Sequence, residues 1–182
     1  MASSKSLIAA GFGGQGLLML GRIVAYAGMK EGYHVTWMPS YGPEMRGGTA
    51  NCTVIISDQE IGAPIVERPD CAVVLNKPSF IKYEPKVLAG GVLVVNTDMV
   101  DVRSSRKDLR VVEVPCSSIA IELGNPRVLN MVALGALVES SGLVGVESCA
   151  KAIEEIFSEK ASLVEINLKA FHRGREAVRG TL

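Results

Sequence analysis

The chain lacks most of the residue patterns that announce a function. Its four cysteines, Cys52, Cys71, Cys116 and Cys149, stand far apart in 182 residues, and no Cys-x-x-Cys pair occurs. Iron–sulfur and zinc spacing is therefore absent, and the thiols read as reduced residues in or near the core. Histidine is scarce: His34 and His172 have no ligand-like neighbours and read as structural or exposed. Neither sign of charge dominates, because 19 Lys and Arg balance 19 Asp and Glu, and no basic run gathers. That excludes the electrostatic footprint of a nucleic-acid binder. Long apolar runs are missing too, and the strongest, residues 128–138, is too short to cross a bilayer. The apolar stretch after Lys5 is broken by Gly11, Gly13, Gly14, Gln15 and Gly16, and no small-residue cleavage site follows it, unlike a secretory signal. The expectation is a soluble, cytoplasmic, single-domain protein without membrane contact.

What is present alternates. Short apolar runs predict strands over 6–10, 34–38, 49–57, 71–75, 92–95 and 111–114, with a further extended segment around Ile61. Leu17, Leu20, Val24 and Ala27 recur at helical spacing within 15–30, and Glu31-Gly32 gives the stop. Asn76-Lys77-Pro78 opens a short helix near Phe80, and helices are predicted over 119–123, 127–140, 146–157 and 161–179. The 127–140 helix is apolar nearly all round and should be buried. In the last helix Val164, Leu168, Phe171 and Val178 share a face. The pattern predicts a three-layer α/β/α fold with a mostly parallel sheet and a Rossmann-like first βα unit. Strand 49–57 follows its neighbour without an intervening helix, which leaves a mixed sheet open.

"GFGGQG" at 11–16 joins the first strand to the first helix with the spacing Gly-x-Gly-x-x-Gly. Glycines there let backbone approach a phosphate, and the helix start offers unpaired N–H groups. The alternative is a tight turn packed against something other than a nucleotide. A dinucleotide site also needs a carboxylate at the end of the second strand, to hold the ribose. Here that end reads Thr36-Trp37-Met38-Pro39-Ser40, and Glu31 precedes the strand. Weak or no binding of NAD and NADP is therefore expected. A second turn-rich stretch, "SYGPEMRGG" at 40–48, brings a hydroxyl at Ser40, a phenol at Tyr41 and a guanidinium at Arg46, shaped by Gly42, Gly47 and Gly48. Both turns follow carboxyl ends of predicted strands, where open α/β sheets place their crevices. Asn96 ends another strand on that same predicted edge.

These two turns, with "VVLNKPSF" at 73–80 and "GGVLVVNTD" at 90–98, resemble the gamma subunit of 2-oxoacid:ferredoxin oxidoreductases in order along nearly the whole chain. Within that family the resemblance is to the 2-oxoglutarate branch. The pyruvate and 2-ketoisovalerate branches look similar, as does the beta subunit of indolepyruvate oxidoreductase. The resemblance implies a single gamma-type catalytic domain over 1–182, working with alpha and beta subunits and a ferredoxin-like delta subunit. It implies conversion of a 2-oxoacid and CoA to acyl-CoA and CO2, with electrons passed to ferredoxin or a similar acceptor. Thiamine diphosphate, Mg²⁺ and iron–sulfur clusters would sit on the partner subunits, and CoA would be a substrate of the complex. No catalytic residue or metal ligand is assigned to this chain. Gly11, Gly13, Gly14, Gln15, Gly16, Ser40, Tyr41, Gly42, Arg46, Gly47, Gly48 and Asn96 are its candidates for contact with CoA phosphates or neighbouring subunits. A stand-alone Rossmann-like nucleotide binder is the rival reading.

Overall fold

Runs of β-branched and other apolar residues turn successive side chains to opposite faces of a strand, and both faces must then be covered. The computed structural model describes residues 4–42 and 48–180. Its strands are β1 (Ser4–Phe12), β2 (His34–Tyr41), β3 (Thr49–Ser57), β4 (Cys71–Val74), β5 (Val92–Asn96) and β6 (Arg110–Val114). Its helices are α1 (Leu17–Lys30), α2 (Lys77–Tyr83), α3 (Cys116–Glu122), α4 (Leu129–Ser141), α5 (Val146–Ile156) and α6 (Ala161–Arg179). Short 3-10 turns occupy Glu84–Lys86 and Pro126–Val128.

The six strands form one sheet in the order β2-β3-β1-β4-β5-β6. β3 runs antiparallel to both β1 and β2, and the other pairings are parallel, so the sheet is mixed. Several boundaries differ from the sequence reading, α3 starting at Cys116 rather than Ile119 and α4 at Leu129 rather than Arg127. β1 continues through Gly11 and Phe12 because β3 pairs with it as far as Phe12 and Thr49. β2 runs to Tyr41, so Pro39, Ser40 and Tyr41 belong to a strand rather than a turn. α1 begins at Leu17, with Gly16 as its N-cap residue. The segment around Ile61 forms no strand.

One face of the sheet buries Leu7, Ala9, Cys52, Val54, Val73 and Val94 under α1, α3, α4, α5 and α6. The other, smaller core sets Ile8, Ala10, Val74 and Leu93 against Phe80, Tyr83, Val87 and Val100. α4 lies within the first core and is buried from Asn130 to Val138, as its all-round apolar sequence requires. All four cysteines are free and buried. Burial pushes the thiols of Cys52 and Cys149 up to about 12 and that of Cys71 to about 11, so they remain protonated. No described helix is long and apolar enough to cross a membrane.

α4 and α6 meet through two glycines. A Cβ on Gly174 would land on the Val132 carbonyl oxygen, and one on Gly135 on the Phe171 carbonyl oxygen. The two backbones thus touch reciprocally, in the close approach where Cα–H···O contacts recur. The deeply buried stripe of α6 is accordingly Asn167, Ala170, Phe171, Gly174 and Val178, while Val164 and Leu168 lie half-buried beside it.

Beyond that contact, Glu139 of α4 accepts from Arg179 Nε at 2.6 Å and Arg175 Nε at 2.8 Å. The two guanidinium groups, Arg179 foremost, hold its carboxyl below the usual glutamate range. A carboxylate with a depressed folded pKa stabilises above its unfolded value and loses that contribution as pH falls through the folded one. Glu139→Gln should therefore lower stability by about 1–2 kcal/mol at pH 7, discounted for the exposed side of the cluster. In urea titrations the deficit should shrink below pH about 4.3, the ordinary glutamate value. A deficit independent of pH would mean that the pair contributes only packing.

Candidate functional site at the carboxyl edge of the sheet

β1, β4, β5 and β6 all end on one edge, and β2, two strands from β1, ends there as well. The glycine turn leaves β1 at this edge. Gln15 folds back so that its Oε1 accepts the Phe12 N–H at 2.7 Å, and its own N–H reaches the Phe12 carbonyl at 3.2 Å. Gly11 makes room for this, because a Cβ there would displace the Gln15 amide and press on Leu17 and Leu75. Gly16 then turns the chain into α1 with φ 76° and no capping side chain, so the first helical N–H groups stay unpaired by any cap.

Two contacts fix the turn from outside. The Gly13 N–H donates to the Gly48 carbonyl at 2.9 Å, joining the first glycine turn to the far end of the 40–48 stretch. Asn130, at the start of α4, donates from Nδ2 to the Gly16 carbonyl at 3.0 Å while its Oδ1 accepts the Met131 N–H at 3.0 Å. Between turn and stretch lies a cavity of about 340 Å³ lined by Phe12, Gly13, Gly14, Leu17, Leu18 and Tyr41. The walls are mostly apolar, and Tyr41 is half exposed over them.

Of the candidate residues, Gly13, Gly14, Gly16 and Tyr41 line this crevice, while Gly11 and Gln15 shape the turn behind it and Gly42 and Gly48 enter through backbone bonds. Gly42 holds its end by donating to the Thr49 carbonyl at 2.8 Å. Ser40 alternates with Tyr41 along β2 and so faces the opposite side of the sheet. Asn96 also lies at the edge but is fully buried, with its amide engaged. Its Nδ2 donates to Ser117 Oγ at 3.1 Å and its Oδ1 accepts the Cys116 N–H at 3.1 Å, bracing α3 against β5. Arg46 and Gly47 lie outside the described residues.

Two further asparagines join the edge, of which Asn130 was not singled out in the sequence and Asn76 only as the opening of a helix. Asn130 is the first, and a lone amide at the head of an otherwise apolar helix was the available signal. Asn76 is the second: its Oδ1 caps α2 by accepting the Ser79 N–H at 2.9 Å. Its Nδ2 is buried without a hydrogen-bond partner among the described residues.

What the crevice can do follows from its residues. Backbone N–H groups, one phenol and apolar walls can bind and orient, and they carry no nucleophile–base pair. Among the described residues no three His, Cys, Asp or Glu side chains converge as a metal set would need, and the protonated thiols do not suit a cluster. Nor does the crevice match a dinucleotide site, because β3 intervenes between β1 and β2 and removes the ribose-anchoring strand end by one position. In titration calorimetry we expect dissociation constants for NAD and NADP weaker than about 10 μM, roughly −7 kcal/mol. Tighter binding of either would restore the nucleotide-binding reading.

A family model described as pyruvate ferredoxin/flavodoxin oxidoreductase matches residues 6–177. The ketoisovalerate oxidoreductase subunit VorA of Methanothermobacter marburgensis is 41% identical over 175 residues, covering 95% of this chain but 36% of that protein. The chain therefore spans about a third of that relative. The 2-oxoglutarate synthase subunit KorC of Methanothermobacter thermautotrophicus is 37% identical, over 96% of this chain and 95% of that one. Among solved structures, the keto/oxoacid ferredoxin oxidoreductase gamma subunit from Geobacter sulfurreducens PCA superposes with a TM-score of 0.85 at 31% identity, covering 98% of both chains.

Proposed function

The chain belongs to the pyruvate ferredoxin/flavodoxin oxidoreductase family, and from that premise we propose that it is the gamma-type subunit of a multi-subunit 2-oxoacid:acceptor oxidoreductase. The complex converts a 2-oxoacid, CoA and oxidised acceptor to acyl-CoA, CO2 and reduced acceptor. The observation that carries this reading is the near end-to-end correspondence with a KorC subunit and with a solved gamma subunit. Among relatives matched end to end, identity to the KorC subunit (37%) exceeds that to a pyruvate/ketoisovalerate gamma subunit (32%), which favours 2-oxoglutarate as the 2-oxoacid.

Thiamine diphosphate, Mg²⁺ and iron–sulfur clusters belong, in this reading, to alpha, beta and delta partners, where they supply decarboxylation and electron transfer. This chain completes the assembly. Its unpaired N–H groups at the start of α1 and the exposed Gly14 suit a phosphate of CoA, and the apolar walls suit the neighbouring carbon chain. Arg46, two residues before the Gly48 carbonyl that holds Gly13, is the cation assigned to that phosphate.

Reconstitution tests this directly. The chain alone, supplied with thiamine diphosphate, CoA, 2-oxoglutarate and an artificial acceptor, should show no turnover, and adding its matched partner chains should produce it. Pyruvate, 3-methyl-2-oxobutanoate and indolepyruvate, offered to the same complex, identify the branch. Arg46→Ala should raise KM for CoA about tenfold or more, about 1.4 kcal/mol, with assembly unchanged. Full 2-oxoacid oxidation by this chain alone would end the subunit reading, and an unaltered KM would remove Arg46 from the CoA contact.

A further inference from the structure

The sheet has two open edges, and they differ in kind. On β2, the Gly42 N–H bond to the Thr49 carbonyl fixes the alternation, so even-numbered residues face β3 and Val35, Trp37, Pro39 and Tyr41 face outward. Pro39 has no N–H, so the outward row of donors is interrupted and the edge is guarded against pairing. On β6, the Arg110 N–H reaches the Gly91 carbonyl at 2.9 Å and the Thr97 N–H reaches the Val114 carbonyl at 3.0 Å. Arg110, Val112 and Val114 therefore serve β5. The N–H and C=O groups of Val111 and Glu113 point outward in an unbroken row. Pro115, the next outward position, ends that row, and no proline stands within it.

This second edge is the floor of a cavity of about 450 Å³. Arg103 and Ser104 stand on one side of it and Val178, near the end of α6, on the other. Arg110 also lines it. Its guanidinium donates to the Ser140 carbonyl at 2.9 Å and has no carboxylate partner among the described residues. Arg103, 87% exposed, approaches Glu113 only to 3.7 Å. With Glu113 lining the groove as the partner of Arg103, Arg110 leaves it one cation that no described carboxylate pairs, available to a slender, negatively charged occupant.

We propose that the β6 edge is a docking groove for an extended acidic segment of another protein chain, which adds as a seventh strand. Its backbone pairs with the N–H and C=O groups of Val111 and Glu113, and a carboxylate on it meets Arg110. A second copy of this chain fits less well, because two recessed edges bring their walls together before their strands. The inference stands on the edge and the groove, and it does not depend on the reading of the carboxyl-edge crevice.

The test is a nuclear magnetic resonance titration of the isotope-labelled full chain with acetyl-Val-Asp-Val-Asp-Val-amide. The controls are its lysine counterpart and two isomers N-methylated on alternate amides. With the aspartate peptide, amide exchange at Val111 and Glu113 should slow about tenfold. The lysine peptide should bind about fivefold more weakly, and Arg110→Glu should reverse that order. One of the two N-methylated isomers should lose binding, a result that does not depend on any variant folding. No binding up to about 5 mM, protection at Val35, Trp37 and Tyr41 instead, or equal binding of both N-methylated isomers would each overturn the proposal. So would protection of Val111 and Glu113 that rises with chain concentration alone, which would assign the edge to a second copy.

Discussion

Gly174→Ala should destabilise the fold by about 3 kcal/mol or more, although it replaces a helix-interior glycine with the best helix former. Propensity alone would favour the change by about 1 kcal/mol. The new methyl has nowhere to go, however. It would lie 2.7 Å from the carbonyl carbon of Val132, and the obstacle is backbone, which no rotamer change can move aside. α4 cannot retreat, being buried all round between the sheet and α6. α6 must lift, opening the packing of Phe171 and Val178 and pulling Arg175 and Arg179 from Glu139. Overpacking against a fixed wall typically costs about 1–3 kcal/mol and more where backbone must move. For a chain of this size each 1 kcal/mol corresponds to about 2–4 °C in Tm. Gly135→Ala meets the Phe171 carbonyl in the same crossing, so the double variant should cost less than the sum of the two. Gly62→Ala, which faces open space, is the silent control in urea denaturation. A neutral Gly174→Ala would mean that the two helices can part without loss.

Gly16→Ala is expected to damage both stability and turnover. At φ 76° an L side chain is strained by about 1–2 kcal/mol. Its Cβ would also approach within 2.7 Å of Cγ of Asn130, expelling the amide that holds the Gly16 carbonyl. Loss of that contact frees the turn that carries Gly13 and Gly14 past the crevice. In the reconstituted complex the predicted result is a loss in kcat/KM of about tenfold or more, about 1.4 kcal/mol. Asn130→Ala separates the two causes. It removes the collision but leaves the backbone strain, so the double variant should recover part of the stability lost by Gly16→Ala and little of the turnover. A strictly additive double variant would show that Asn130 and Gly16 are uncoupled. Wild-type turnover in Gly16→Ala would detach the turn from function.

Much of this edge was legible from residues alone. The apolar runs gave β1, β3, β4 and β5, and the glycine spacing marked a strand-to-helix turn, because those signals are local. β2 was read too short, since Pro39 signals a break. At a sheet edge a proline whose missing N–H faces outward costs no ladder bond, so the strand passes through it. Asn96 was placed at the correct edge, but whether its amide faced a ligand or α3 depended on where Cys116 and Ser117 would dock. The roles of Gly135 and Gly174 were invisible for the same reason. A glycine in a helical pattern carries no record of which backbone approaches it.

The insertion of β3 between β1 and β2 also sets the order in which the chain assembles itself. β2 and β3 are joined by the short 42–48 connection, so their antiparallel pairing closes at small entropic cost. β1 must find partners far along the sequence on both sides, with Ala9 beside Cys52 and Ala10 beside Val74. β1 is therefore the last of these three strands to be enclosed. Until it docks, the inner edge of β3 stands unpaired beside the apolar side chains of Val54, Ile55 and Ile56, a ready template for association between chains. The long-range sheet pairing makes that interval slow to close. A folding chain is most exposed to its neighbours while its central strand is still searching for its place.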